Sequence, residues 1–198
     1  MAFSIQGFKS NGLVGGGARP TLFEVILNMP VTGADVADKF RFVCSASQLP
    51  AMTSGVIEVG YFGRKTKIAG DTVFADWTVN VMNDEDFLIR DALEKWKNTI
   101  NTLETNIRVP IQGNSQGQIQ GGIEGYKNVD ALVLQYGKAG DILRSYKMIS
   151  VWPSNIEAIN LDWERTNAVE TFAVTFAYDY WLPGDPDEGL FGQEAVPL

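Results

Sequence analysis

Four stretches of the 198-residue chain carry residue types that chemistry uses. Asp84-Glu85-Asp86 is a run of carboxylates, the raw material of a metal site or an acid/base pair. It stands where an amphipathic helix opens, and acids in a first turn are stabilised by the helix dipole without any ligand. No second carboxylate group is spaced to complete a site. Cys44 is the single cysteine, so no internal disulfide forms. A nucleophilic thiol needs a base beside it, and the chain has no histidine. Cys44 alternates with Phe40 and Phe42 in Lys39–Ala46, which reads as a strand burying an inert thiol. Gly12–Gly17 (GLVGGG) invites a phosphate loop, but the Gly-Lys-Ser/Thr ending is missing and no strand precedes it. The lack of histidine also removes Ser-His-Asp catalysis, His-ligated zinc and histidine pH switches. The expectation is a protein that is not an enzyme, with no catalytic residues, no cofactor and no metal.

The fourth stretch is basic. Arg64, Lys65 and Lys67 in Gly63–Asp71 (GRKTKIAGD) form the one local cationic cluster. It reads either as a solvated hairpin or as a contact with acidic patches on another copy of the chain. A nucleic-acid site fits less well, because 24 acidic residues outweigh 16 basic ones and the net charge is −8. Trp77, Trp96, Trp152, Trp163 and Trp181 could stack on a ligand, but most fall inside strand or helix patterns, so core packing is the default.

The elements that would hold these residues are mainly strands. The sequence is 45% hydrophobic, enough for one core, and no apolar run approaches the roughly 18 residues that span a bilayer. The start has neither the charged opening nor the apolar stretch of a signal peptide. Leu22–Asn28, Lys39–Ala46, Gly55–Phe62, Phe74–Met82, Asp130–Tyr136, Asp141–Trp152, Ile156–Glu164 and Ala168–Tyr180 read as strands. In the last of them Phe172, Val174, Phe176 and Tyr178 share one face, and Thr171, Ala173, Thr175 and Ala177 the other. One helix is expected over Asp84–Asn101, with Ile89, Leu93, Trp96 and Ile100 as its core stripe. Residues 1–19 read as a flexible Gly-rich arm, 104–127 as a Gln- and Gly-rich loop insertion, and 183–198 as a polar tail. The fold class is α+β, mainly antiparallel, a sandwich or barrel with one flanking helix.

Two long blocks carry a family resemblance. The first runs Leu49-Pro50, Val59-Gly60-Tyr61, Gly63-Arg64-Lys65, Ala69-Gly70-Asp71, Phe74, Trp77-Thr78-Val79 and Val81-Met82-Asn83-Asp84-Glu85. The second runs Val151-Trp152-Pro153, Leu161-Asp162-Trp163, Val169-Glu170-Thr171-Phe172 and Asp179-Tyr180-Trp181, and Arg19-Pro20-Thr21-Leu22-Phe23 agrees with both. From about Arg19 to Trp181 the chain resembles the tail tube proteins of T4-like contractile phages. The resemblance implies a domain over residues 20–182 whose copies close hexameric rings around one continuous β-barrel. The rings stack into a hollow conduit for genome ejection, inside a contractile sheath. It implies as partners other copies of the chain, the tail sheath, tape measure, baseplate and tail terminator proteins. Double-stranded DNA passes without specific binding, and no membrane is involved. The place of action would be the virion tail, assembled in the host cytoplasm. Phage-like and type VI injection systems share the fold and give the alternative, a tube that delivers effectors. From another class, a monomeric carbohydrate- or peptide-binding domain would use the tryptophans as platforms.

Within the tube reading, four lumen strands per copy give roughly 24 strands and a backbone diameter of roughly 50 Å. Thr171, Ala173, Thr175 and Ala177, with Glu58, are the expected lumen lining. Arg64, Lys65, Lys67 and Asp71 are the expected inter-ring contacts. The helix should pack outside the barrel.

Overall fold

The computed structural model of the chain describes residues 5, 8, 13, 16–30, 34–106, 112–113, 119–120, 125–127, 129–164 and 166–184. The strands are β1 (Phe23–Leu27), β2 (Cys44–Ser47), β3 (Met52–Tyr61), β4 (Arg64–Phe74), β5 (Trp77–Met82), β6 (Gln112–Gly113), β7 (Ile119–Gln120), β8 (Ala131–Tyr136), β9 (Ile142–Ile149), β10 (Trp152–Ile156), β11 (Thr171–Ala177) and β12 (Tyr180–Gly184). The helices are α1 (Ala34–Val43) and α2 (Leu88–Ile100). Two four-stranded antiparallel sheets, β1-β8-β9-β12 and β10-β11-β5-β2, share one hydrophobic core. Among the described residues no sheet closes on itself, so a single copy is not a barrel.

The core follows from strand alternation. Phe172 pairs with Val81, Val174 with Val79 and Phe176 with Trp77, and all six are buried. Side chains opposite one another on the same face meet as cross-strand pairs, so these three pairs form a continuous apolar layer. Val25 and Val133 pair in the same way in the facing sheet.

Among the described residues there are two α-helices where one was expected. Ala34–Val43 falls on the connection and strand read from the sequence, and it is helical because Val36, Phe40 and Val43 repeat at i, i+4 and i+7. Val36 and Phe40 are buried, whereas Phe42 is turned away and 81% exposed. Over so short a stretch the alternation of Phe40, Phe42 and Cys44 mimicked a strand. Only Cys44–Ser47 is β.

The second helix is shorter than expected. It begins at Leu88, after Phe87 in the left-handed region at φ 50°. Asp84 accepts the N–H of Glu85 at 2.8 Å and Asp86 accepts the N–H of Leu88 at 3.0 Å. The carboxylates therefore shape the approach to the helix rather than its first turn. Ile89, Ala92, Leu93 and Trp96 are buried and Ile100 is half-buried. The Trp96 indole donates to the Tyr126 carbonyl at 3.0 Å.

Three strand boundaries also differ. The expected strand Asp141–Trp152 breaks at Ser150, whose φ is 60°. Beyond it β10 joins the other sheet. The described residues of 157–170, expected as strand on both sides of a short turn, are not strand. β12 extends to Gly184 and places Pro183 in an edge strand, where a missing N–H is tolerated. Most of the expected arm, loop insertion and tail lies outside the described residues.

Candidate assembly surfaces

The basic stretch is half of a long hairpin. β3 and β4 pair from Met52↔Phe74 to Tyr61↔Arg64 and, among the described residues, with no third strand. Every residue of β3 is exposed, and in β4 only Gly70 and Phe74 are half-buried. At about 3.4 Å per residue the ribbon reaches roughly 30 Å. Tyr61 and Arg64 flank a two-residue turn in which Phe62 has φ 46° and Gly63 φ 79°. Positive φ at both positions is the turn that matches strand twist. Glycine takes it freely, whereas phenylalanine is strained there. Phe62 is nonetheless at the tip and 89% exposed. A register shift between Ser54 and Val56 brings Gly55 against Gly70, where an added Cβ would meet the Gly55 carbonyl at 3.3 Å. Such a bulge bends and twists the ribbon.

The two faces of this ribbon differ. Pairs Ile57↔Ile68, Val59↔Thr66 and Tyr61↔Arg64 make one face largely apolar. Glu58↔Lys67 and Gly60↔Lys65 make the other charged. The expected inter-ring residues are thereby split: Arg64 edges the apolar face, Lys65 and Lys67 share the charged one, and Asp71 sits at the bulge. Glu58, expected in the lumen, is on the hairpin too, 2.8 Å from the Lys65 ammonium. An exposed ion pair of this kind contributes little to stability.

The expected lumen residues of β11 do share one face. Thr171 pairs with Met82, Ala173 with Asn80 and Thr175 with Thr78, all on the side away from the core. The hydroxyls of Thr78 and Thr175 are 3.4 Å apart. No charged side chain belongs to these pairs, so the face is neutral, with Thr78, Asn80, Ala173 and Thr175 small or polar at its centre and Met82 at one end.

The other sequence candidates are structural. Asp84 is 2.9 Å from the Lys39 ammonium and Asp86 is also paired with it, which ties α1 to the approach to α2. The Lys39 hydrogen bonds hold both carboxyls below the ordinary range. Cys44 is buried, and desolvation pushes its thiol up to about 12, so the nucleophilic thiolate is suppressed. Among the described residues no group of three or more Asp, Glu, Cys or His is placed to hold a metal ion. Trp77 and Trp96 are core residues, but Trp163 is 98% exposed.

The family model described as phage tail tube protein matches residues 18–183. The tail tube protein gp19 of Enterobacteria phage T4 is 34% identical over 165 residues, covering 83% of this chain and 90% of that protein. The chain belongs to the phage tail tube protein family. The phage T6 counterpart matches to the same extent. Solved structures agree on the fold. A chain from the PVC sheath-tube complex of an extracellular contractile injection system superposes with TM-score 0.55 at 14% identity, covering 92% of this chain and 99% of that one. One from the anti-feeding prophage cap gives 0.57 at 14%, covering 84% and 90%.

Sequence reasoning missed two features of this tail tube protein. The hairpin tip is aromatic as well as basic, and the Tyr-Phe-Gly-Arg order around the turn was the available signal. Trp163 was placed in a turn without its exposure being drawn out. A tryptophan set among Asp162, Glu164 and Arg165 lacks the apolar neighbours that a buried position would give it.

Proposed function

We infer that copies of this tail tube subunit close into hexameric rings that stack as a hollow conduit for the phage genome, inside a contractile sheath. The observation that carries the reading is the β3–β4 hairpin. A two-stranded ribbon alone is marginally stable in water, and this one exposes Val56, Ile57, Val59, Tyr61, Phe62, Ile68 and Val73. Contiguous exposed apolar surface marks an interaction site. Other copies of the chain supply the missing cover, and ring closure also pairs the open edges of both sheets, which would otherwise template aggregation. Arg64, Lys65, Lys67 and Asp71 then lie at contacts between rings.

The neutral face of Thr171, Ala173, Thr175 and Ala177 lines the bore, with Glu58 at its margin. The β11 and β5 face carries no cation to hold phosphates, and Lys65 at the margin is already paired with Glu58, so double-stranded DNA slides through unbound. α2 packs on the outside, toward the sheath. The tape measure, baseplate and terminator proteins are further partners, reached at the inside and the two ends of the tube. The alternative cargo, effectors of an injection system, fits the same fold, which a chain of an injection-system sheath-tube complex shares.

Negative-stain electron microscopy of the purified protein at high concentration, with light scattering, tests the reading. Hollow rings or stacked tubes are expected. Dispersed monomers, persisting when baseplate is added as a template, would overturn it.

A further inference from the structure

The two ends of the sheet β10-β11-β5-β2 are chemically unlike. At the end holding Trp77 and Phe176 the hairpin is rooted: the Ala75 N–H donates to the Ala51 carbonyl at 3.1 Å. There the Phe74 ring also lies 6.4 Å from that of Tyr178 and 6.5 Å from that of Trp181. At the opposite end, where Thr171 pairs with Met82, residues 157–170 leave the sheet. The Asn83 N–H donates to the Glu170 carbonyl at 2.8 Å and holds the base of this connection. Leu161 is 79%, Trp163 98% and Val169 67% exposed. With Asp162 and Glu170 they line a groove of about 360 Å³.

The charges of the two ends are complementary. The connection carries Glu157, Asp162, Glu164 and Glu170 against Arg165. The hairpin tip carries Arg64, Lys65 and Lys67 against Glu58, around Tyr61 and Phe62. Neither surface complements itself across a twofold axis. Each complements the other head to tail, and head-to-tail contacts propagate into open assemblies. We propose that the hairpin tip of one copy docks in the groove between Asn160–Trp163 and Ala168–Thr171 on a copy in the next ring, with Phe62 against Trp163 and with Arg64 and Lys67 facing Asp162 and Glu164. This rests on reading the hairpin as the contact between rings. An aromatic anchor entering a pocket is where binding energy concentrates, and the surrounding charges set orientation and encounter rate.

A charge exchange tests the pairing. Arg64→Glu with Lys67→Glu, and separately Asp162→Lys with Glu164→Lys, should each raise the protein concentration needed for tubes by about tenfold or more, and combining all four should restore it. Trp163→Ala should lose tubes at an unchanged melting temperature, because the ring touches solvent in the single copy. If reversing the hairpin charges leaves tubes intact, the hairpin is not the ring contact and both readings fall. If it abolishes tubes while the loop reversal does not, or if the combination fails to restore them, the hairpin remains a ring contact and only this docking site is overturned.

Discussion

Trp77 and Phe176 are direct cross-strand partners, with ring centroids 5.2 Å apart at an interplanar angle of 34°. Trp96 reaches the same phenyl ring from α2 at 6.2 Å. The Trp77 indole donates to the Ser47 hydroxyl at 3.0 Å and the Gln48 carbonyl at 3.1 Å, which fixes the end of β2. One aromatic cluster thus joins two strands, a helix and the segment that leads into the hairpin.

Phe176→Ala should therefore cost about 3–5 kcal/mol. It empties the centre of the cluster, and neighbours on three elements cannot all collapse inward. Urea unfolding of the unassembled subunit measures it; a cost under about 1 kcal/mol would mean that the site repacks.

Phe62 tests the difference between what the single copy needs and what the tube needs. Asparagine tolerates the left-handed conformation that phenylalanine occupies under strain, so Phe62→Asn should slow amide exchange around the turn by favouring the closed hairpin. The same change removes an aromatic anchor and should weaken assembly about tenfold or more. Hydrogen exchange and tube yield by sedimentation give the two readouts.

Lys39→Met should lower stability in a pH-dependent way. Asp84 and Asp86 have carboxyls lowered chiefly by their hydrogen bonds to Lys39. Their contribution is present above the unfolded value near 3.8 and is lost as pH falls through the lower folded values. The same contacts raise the Lys39 ammonium above 10.5, so its share is present below 10.5 and lost as pH rises past the folded value. The melting-temperature gap between wild type and variant should be flat across neutral pH and shrink toward both extremes. A gap independent of pH would assign the effect to packing of the lysine stem.

Ala173→Lys probes the neutral face. Its neighbour across the strands is Asn80, and the side chain points away from the core, so the subunit should fold and tubes should form. A lysine on each copy would place cations along the bore and hold phosphates. Genome release in vitro should slow at low salt and recover as salt rises. Loss of tube formation instead would place Ala173 in a contact between copies.

The buried half of this fold was legible. Phe172, Val174 and Phe176 alternate with small polar residues, and Ile89, Leu93 and Trp96 repeat at helical spacing, because a shared core imposes those periods. Lys39–Ala46 was misread for the same reason: Phe40 and Cys44 face the core, and a two-residue period over five positions concealed the four-residue one that includes Val36. The hairpin was legible in its glycines and cations but not in its exposure. Alternation shows that a strand has two faces; it does not show that neither face is covered. Val59 and Ile68 look like core residues by type, and they are surface residues because, among the described residues, no third strand or helix lies over them. Trp163 escaped on the same ground.

The ribbon's isolation from the core separates two events in time. The sheets and α2 bury Trp77, Trp96 and Phe176, whereas β3 and β4 are exposed almost throughout beyond their rooted base, so the body of the subunit can reach its native state before a neighbour covers the ribbon. Copies can then accumulate as finished bodies with an unfinished limb. If a neighbouring copy fixes that limb, as proposed, the first contact between free subunits is penalised more than the thousandth addition to a growing end. With the hairpin as the proposed ring contact, elongation would be favoured over spontaneous initiation, and a polymer would start wherever a template first holds the ribbon still.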